Sequence, residues 1–426
     1  MKYSEFRADA LKTWKELPEE QNEMYKHHYL SLADEIAAIK SEPVDEMEEK
    51  AVLQSLAEQA ESQTGARIDA LVSAGAFVSG SKFVRLLTEE DIANRLISKL
   101  HTNSEDKLVS LVHASSTRNI LVEVPAGEHA TINMLILAHA SPLYSQIFVQ
   151  LGENSTLNLL ELCLSGQNAQ LFALLQEVSI GKDSKAEINI IRNESMQTLA
   201  LNFYKSKAAE NAHIKTNIMY NGGCKVKSKN SAVCSGTASM SEINESILSI
   251  GTQKFDLYTY MVNDAQKSVC HSETKAVLTG KSYGYVKGFA KIKKGAIDSR
   301  SYVEERGLIL DKGAYINLIP DMSIDENEVK ATHSGASAPI DKDSLFYMMS
   351  RGADFSTSRK LIINGFFGEI LSKMESNESK RLALALMHDK ISNGVFGHIP
   401  KIDMGELWIS ETHGEQELFG GHYKYR

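Results

Sequence analysis

Between residues 127 and 217 the chain keeps returning to one phrase: a polar turn, a small residue, then aliphatic side chains alternating with asparagine. Gly127-Glu-His-Ala-Thr-Ile-Asn-Met, Gly152-Glu-Asn-Ser-Thr-Leu-Asn-Leu and Gly181-Lys-Asp-Ser-Lys-Ala-Glu-Ile-Asn-Ile stand at similar intervals, and Ala208-Ala-Glu-Asn-Ala-His-Ile-Lys-Thr-Asn follows at another. Gly295-Ala and Gly313-Ala-Tyr-Ile-Asn recur later at a shorter step. A repeat of this length built from strands points to a solenoid. One coil cannot bury its inward side chains alone, whereas stacked coils give each strand a hydrogen-bonded neighbour on both sides. No proline falls between Pro142 and Pro320, which suits strands paired on both edges, since proline has no N–H for the ladder. A two-sheet sandwich with irregular strand spacing is the other arrangement that the alternation admits.

The strand texture begins at about residue 105 and ends near 338, dividing the chain into 1–104, 105–338 and 339–426. Residues 1–104 read as helical; within Leu30–Ile39 the side chains of Leu30, Leu32, Ile36 and Ile39 share one helical stripe. Beyond Pro339, Asp341 is placed to cap a helix over Lys342–Ser350, which ends at Arg351-Gly352 with glycine suited to a left-handed turn. Ser356 is placed to cap a second helix from Thr357 to about Met374, and a third spans about Glu378 to Ile391. From Gly394 onward the glycine-rich end of the chain reads as loop or extended tail.

Several functions are excluded on chemical grounds. With 46 Lys and Arg against 55 Asp and Glu the net charge is −9, the wrong sign for a nucleic-acid surface. The N-terminus has a charge every few residues, and apolar stretches such as Ile132 to Ala138 are too short to cross a bilayer. The expected location is therefore the cytoplasm, with no membrane contact and with Cys163, Cys224, Cys234 and Cys270 reduced. Gly280-Lys281-Ser282 looks like the end of a phosphate-binding loop, but the first glycine position is Lys275 and a strand is expected to follow. Leu164-Ser-Gly-Gln167 is similar to the signature of ABC ATPases but lacks a glycine, and with no convincing apolar strand ending in Asp-Glu to hold magnesium and activate water the chain is not itself an ATPase. A free-standing enzyme acting on polysaccharide is the alternative function. It needs convergent carboxylates, and the adjacent pair Glu304-Glu305 diverges on a strand.

Three candidate ligand groups remain. Cys270 and His271 are neighbours on a strand and point to opposite faces. Cys224 and Cys234 flank Lys225, Lys227 and Lys229, read as a turn able to lower a thiol pKa, with burial of the thiols as the competing reading. His333 lies in Glu328-Val-Lys-Ala-Thr-His-Ser-Gly-Ala-Ser-Ala-Pro-Ile-Asp341, where strand texture passes into helix. A histidine there stands at an open edge where a second chain can add ligands, or else it has an ordinary structural role.

From His271 to about Ile370 the order of motifs resembles the C-terminal half of SufB and SufD proteins. The matching segments are Ser272-Glu-Thr-Lys-Ala-Val-Leu-Thr-Gly280, Gly284-Tyr-Val-Lys-Gly-Phe-Ala-Lys-Ile-Lys-Lys-Gly-Ala296, Gly307-Leu-Ile-Leu310 and Glu328-Val-Lys-Ala-Thr-His333. Most specific is Ile340-Asp341 through Leu345-Phe-Tyr-Met-Met-Ser-Arg-Gly352, which follows the family's ID-x-x-x-LFY-x-x-SRG. The resemblance implies a mainly β protein: a right-handed parallel β-helix core flanked by N-terminal and C-terminal α-helical segments. It implies a non-enzymatic scaffold subunit of the SUF system that works with the ABC-type ATPase SufC. Docking on SufC falls to the C-terminal helices around Leu345, Phe346, Tyr347 and Arg351, and β-helices pair with a SufB/SufD paralogue or a second copy. It also implies a transient iron–sulfur cluster at that interface, passed on to acceptor proteins, with no tightly bound cofactor in the isolated chain; flavin binding stays open.

His333 matches the histidine that SufD-like members contribute to the cluster, as a ligand shared with the partner chain. The sequence departs from SufB where Thr332-His333-Ser334 replaces Glu-His-Glu and where no cysteine stands near Lys312-Gly313. It is therefore similar to SufD or to a compact prokaryotic SufB/SufD form.

Overall fold

Each recurrence of the asparagine-bearing phrase is a strand of one parallel sheet, and between copies the chain crosses to a second sheet and back. This architecture is that of the computed structural model, which describes residues 3–18, 30–39, 44–88, 91, 100–139 and 141–393. Sheet A contains β5 (His129–Ala138), β7 (Thr156–Ser165), β9 (Lys185–Asn193), β11 (His213–Tyr220), β13 (Met240–Ser249), β15 (Val269–Leu278), β17 (Arg300–Ile309) and β19 (Lys330–Pro339). Sheet B contains β4 (Arg118–Val124), β6 (Leu143–Leu151), β8 (Leu171–Ile180), β10 (Leu199–Ala208), β12 (Lys225–Cys234), β14 (Lys254–Asn263), β16 (Tyr283–Ile292) and β18 (Tyr315–Ile324). The protein is thus a parallel β-solenoid flanked by helices, and the sandwich arrangement is ruled out by the uniformly parallel pairing along both stacks.

Register partners His129, Thr156, Lys185, His213, Met240, Val269, Arg300 and Lys330 follow one another at nearly even intervals, one coil apart. Matching Gly127 to Gly152 slips the strands by two, since Thr131 rather than Asn133 lies beside Asn158. The step from Gly295 to Gly313 is not a coil but two successive corners, one before β17 and one before β18.

One corner is built the same way in successive coils. Two residues before each A strand from β5 to β17 the backbone is left-handed: Gly127, Asn154, Asp183, Asn211, Ala238, Lys267 and Asp298 have φ between 53° and 75°. Each of these residues donates its N–H to the next coil, from Gly127 to Glu153 O at 2.9 Å through to Asp298 to Glu328 O at 2.8 Å. The corners therefore continue the ladder where the strands stop.

Inside, alternate residues fill a lumen that is apolar along much of its length but crossed by a polar file. Arg192 pairs with Glu194 at 2.5 Å and donates to Asn202 Oδ1 at 3.1 Å; Asn202 reaches Ser228, and Ser228 meets the Tyr220 hydroxyl at 2.6 Å. Asn230 donates to Glu245 at 2.7 Å, and Glu245 also accepts from Thr259 and Thr274. All of these groups are buried and each makes at least one hydrogen bond, while Arg192 Nη2 and Glu194 Oε2 have no partner among the described residues.

Outside, helices cover both sheets. The stretch read as helical contains α1 (Tyr3–Glu16), α2 (Ala33–Ala37) and α3 (Glu46–Thr64), and also three short strands, β1 (Ala70–Ser73), β2 (Phe77–Ser79) and β3 (Val84–Leu86). Leu32 and Ile36 are buried with α4 (Lys107–Ser115) against sheet B, joined by Leu30 and Ile39, although the helix is only five residues long. At the other end come α5 (Lys342–Ser350), α6 (Phe355–Ser372) and α7 (Asn377–Asn393). The cap of α6 is Asp354, whose carboxylate accepts the Thr357 N–H at 2.6 Å, and not Ser356. The expected C-terminal tail lies outside the described residues.

The last two helices sit on the outer face of sheet A. Phe367, Ile370, Leu371, Leu386 and Met387 share an apolar cluster with Leu248, Val277 and Leu308. Ion pairs surround it, Lys275 with Glu369 at 2.5 Å and Lys215 with Glu375 at 2.5 Å. Asparagines that do fall in register form a ladder there: Asn217 donates to Asn189 at 2.9 Å and Asn244 to Asn217 at 3.0 Å, and Lys373 of the adjoining turn closes it.

Candidate functional site

The two ends of the solenoid differ. At the N-terminal end the three-residue strands β2 and β3 close the sheets by antiparallel pairing with β1 and β4. At the C-terminal end β18 and β19, ten residues each, are paired on one side only among the described residues. Lys330 donates to Ser299 O and Tyr315 to Ser282 O, both at 3.0 Å. Strand alternation then turns the N–H groups of Ala331, His333, Gly335 and Ser337, and of Ile316, Leu318 and Met322, toward the free edge. Pro320 and Pro339 occupy positions of the same outward parity, so neither removes an internal ladder bond.

His333 stands on β19 in register with Val303, and its side chain is exposed. Its Nδ1 lies 3.0 Å from the Pro320 carbonyl oxygen of β18. A carbonyl can only accept, so Nδ1 carries the hydrogen, and in the neutral ring Nε2 keeps a lone pair able to bind a metal. Among the described residues no group of three or more His, Cys, Asp or Glu is arranged to hold a metal ion, so any set that includes His333 is completed from elsewhere.

One strand in, Glu305 faces the lumen while Glu304 turns outward to Arg306. Gly288 N–H donates to Glu305 Oε1 at 2.5 Å, and burial pushes the carboxyl up to about 9. Gly288 is required here: a Cβ on it would lie 2.5 Å from Val303 Cγ1 and 2.9 Å from Glu305 Oε1. The alternation of Glu304 and Glu305 in the sequence shows that one of them faces inward, but not which one.

The chain leaves β19 directly into α5. The Asp341 carboxylate accepts the Asp343 and Ser344 N–H groups at 3.2 and 3.1 Å, and Gly352 closes the helix with φ 98°. This short helix buries nothing. Leu345 is half-buried, Phe346 is 73% exposed and Tyr347 is 59% exposed, so the two aromatics do not serve to pack the helices together. The Arg351 guanidinium lies 5.2 Å from the Tyr347 ring centre. Met349 and Phe355, two apolar residues that the family motif does not single out, are also exposed; a helix carrying an aromatic pair on a solvent-facing side was the available signal.

The cysteine readings divide. Cys270 is buried and His271 half-buried on opposite faces, as strand geometry requires. The lysine-rich stretch is not a turn but strand β12. Its lysines share the outer face and are neutralised, Lys225 by Glu35, Lys227 by Asp256 at 2.9 Å and Lys229 by Asp106. Burial consequently dominates at Cys224 and pushes its thiol up.

No helix among the described residues is long and apolar enough to cross a membrane. A family model described as "SUF system FeS cluster assembly, SufBD core domain" matches residues 134–366, over half of the chain. The chain is 24% identical over 205 residues to protein ABCI7, chloroplastic, of Arabidopsis thaliana, covering 47% of this chain and 43% of the relative. It is 21% identical over 281 residues to the iron–sulfur cluster assembly protein SufD of Bacillus subtilis, covering 64% and 62%. With an iron–sulfur cluster assembly SufBD family protein of Mycobacterium tuberculosis it shares 35% identity over 104 residues, 24% and 26% of the two chains. The chain thus spans less than two thirds of the length of each of these relatives.

Proposed function

The chain belongs to the SufBD family of SUF-system iron–sulfur cluster assembly proteins, and from that premise we propose that it is a cytoplasmic, non-catalytic scaffold subunit. Its C-terminal region, 339–426, docks on a SufC-type ABC ATPase through the exposed face of α5. Its open solenoid end pairs with a SufB/SufD paralogue or a second copy, and a nascent iron–sulfur cluster is held between them as cargo before passing to acceptor proteins. His333 Nε2 supplies one ligand from this side, and thiolates or imidazoles of the partner chain supply the rest.

The observation that carries this reading is the pair of ten-residue strands left half-paired at one end only, beside an exposed histidine whose tautomer leaves Nε2 available. Edge strands of that length are normally covered. The exposed apolar side chains of Phe346, Tyr347, Met349 and Phe355 lie on the helices that follow directly, which suits a partner gripping the same end of the molecule. Copurification tests the docking. The double variant Phe346→Asp with Tyr347→Asp should weaken capture of the ATPase at least tenfold, a typical loss for buried aromatic anchors, with the far-ultraviolet spectrum unchanged. Undiminished capture would remove the α5 surface from the proposal.

A further inference from the structure

Two of the four cysteines meet inside the solenoid. Cys234 ends β12 and Cys270 is the second residue of β15; both are fully buried, and their sulfurs lie 3.5 Å apart where sheet B turns into sheet A. Closing that gap to a disulfide bond of about 2.05 Å needs a movement on the order of 1.5 Å. Cys163 lies elsewhere, in register with Arg192, and Cys224 packs beneath the N-terminal helices.

The surroundings of the pair are polar and incompletely satisfied. Ser301 stands beside Cys270 in register, and its hydroxyl is buried without a hydrogen-bond partner among the described residues. Asn263, in register with Cys234, has an Oδ1 without a partner among the described residues. Buried polar atoms left without protein partners mark where a water-sized hydrogen-bonding molecule is held.

We propose that Cys234 and Cys270 form an oxidisable dithiol that consumes small peroxides and closes into an intrachain disulfide across the lumen. The Cys270 S–H donates to the Cys234 sulfur, and this bond holds the Cys234 thiol below its ordinary value, whereas burial pushes Cys270 up. Cys234 is therefore the first nucleophile. Its thiolate attacks one peroxide oxygen; the S–O bond forms, the O–O bond breaks, and the leaving hydroxide takes the thiol's proton and departs as water. Sulfur is oxidised by two electrons to the sulfenic acid while the peroxide oxygen is reduced. Cys270 sulfur then attacks Cys234 sulfur; the S–S bond forms, the S–O bond breaks, and the hydroxyl leaves with the Cys270 proton as a second water. In sum, two thiols and one hydrogen peroxide give one disulfide and two waters. This chemistry is independent of the scaffold reading and of His333.

The reduced full-length protein is treated with hydrogen peroxide, quenched, unfolded and alkylated, and its peptides are mapped. Alkylatable thiols should fall from four to two, with a loss of two hydrogen atoms in mass and a cross-linked peptide joining Cys234 to Cys270. In Cys270→Ala the sulfenic acid should persist on Cys234 and be trapped by dimedone, while Cys163→Ser and Cys224→Ser should leave the cross-link intact. Four alkylatable thiols after treatment, a cross-link involving Cys163 or Cys224, or sulfinic acid without any cross-link would overturn the proposal. The parent protein's map decides the matter even where a variant folds poorly.

Discussion

His333 and Glu305 face the same lumen one strand apart, yet their surroundings set them to different tasks. The histidine is exposed and tied to Pro320 by Nδ1, so its free nitrogen is directed by a backbone bond. Under the scaffold reading, His333→Ala should leave thermal stability and ATPase capture unchanged but lower cluster yield in the reconstituted complex severalfold, read by absorption after anaerobic assembly with iron and sulfide. Equal yield would return His333 to a structural role. Glu305 is sealed in, and its folded value of about 9 lies far above the ordinary carboxylate value of about 4.3. The native chain thus holds a proton that the unfolded chain releases. The associated stability is complete below the unfolded value and is lost as pH rises toward 9, and Glu161, pushed up to about 8 by burial, acts in the same direction. Glu305→Gln, which keeps the shape without the acid, should therefore lose less melting temperature than the parent between about pH 6 and about pH 9. Parallel pH profiles would show that this carboxyl is not buried as described.

The repeating corner is the element on which the coils depend, and two of its seven left-handed positions are filled against preference. Asn, Asp and Gly tolerate that conformation, but Ala238 and Lys267 do not, and both are exposed. A left-handed non-glycine residue costs about 1–2 kcal/mol, while glycine gives back about 0.5–1 kcal/mol in unfolded-state entropy. Ala238→Gly and Lys267→Gly should each stabilise the protein by up to about 1 kcal/mol in urea unfolding, and destabilisation by either would contradict the corner geometry. These corners also explain what could be read in advance. The phrase ahead of each A strand was visible because the left-handed residue and the small residue beside it recur. The intervening B strands carry no such mark, so the number of strands in a coil is not legible from the repeat. Asp341 and Gly352 were legible as helix ends because capping is local. The lysine-bearing strand reads as a turn in the sequence because its neutralising carboxylates, Glu35, Asp106 and Asp256, lie far away along the chain.

At the scale of the whole molecule, the solenoid is finished at one end and unfinished at the other. Under the scaffold reading, pairing with another chain through β19 relies on donors that face outward, and Ser337 supplies one of them from an exposed position. Ser337→Pro removes that donor without touching the internal ladder. It should raise the dimer dissociation constant about tenfold or more in sedimentation, given that each interface hydrogen bond left unmade costs about 1–3 kcal/mol, while the melting temperature of the monomer stays put. An unaltered dimer would move the interface elsewhere. The closure at the other end carries its own consequence. A rod with two sticky ends grows into a filament, each added copy exposing a fresh template. Because β2 and β3 are three residues long and run against the grain of the stack, a copy joined through β18 and β19 offers the next one nothing to extend. Under the proposed pairing, an architecture that invites polymerisation is thereby limited to a closed pair.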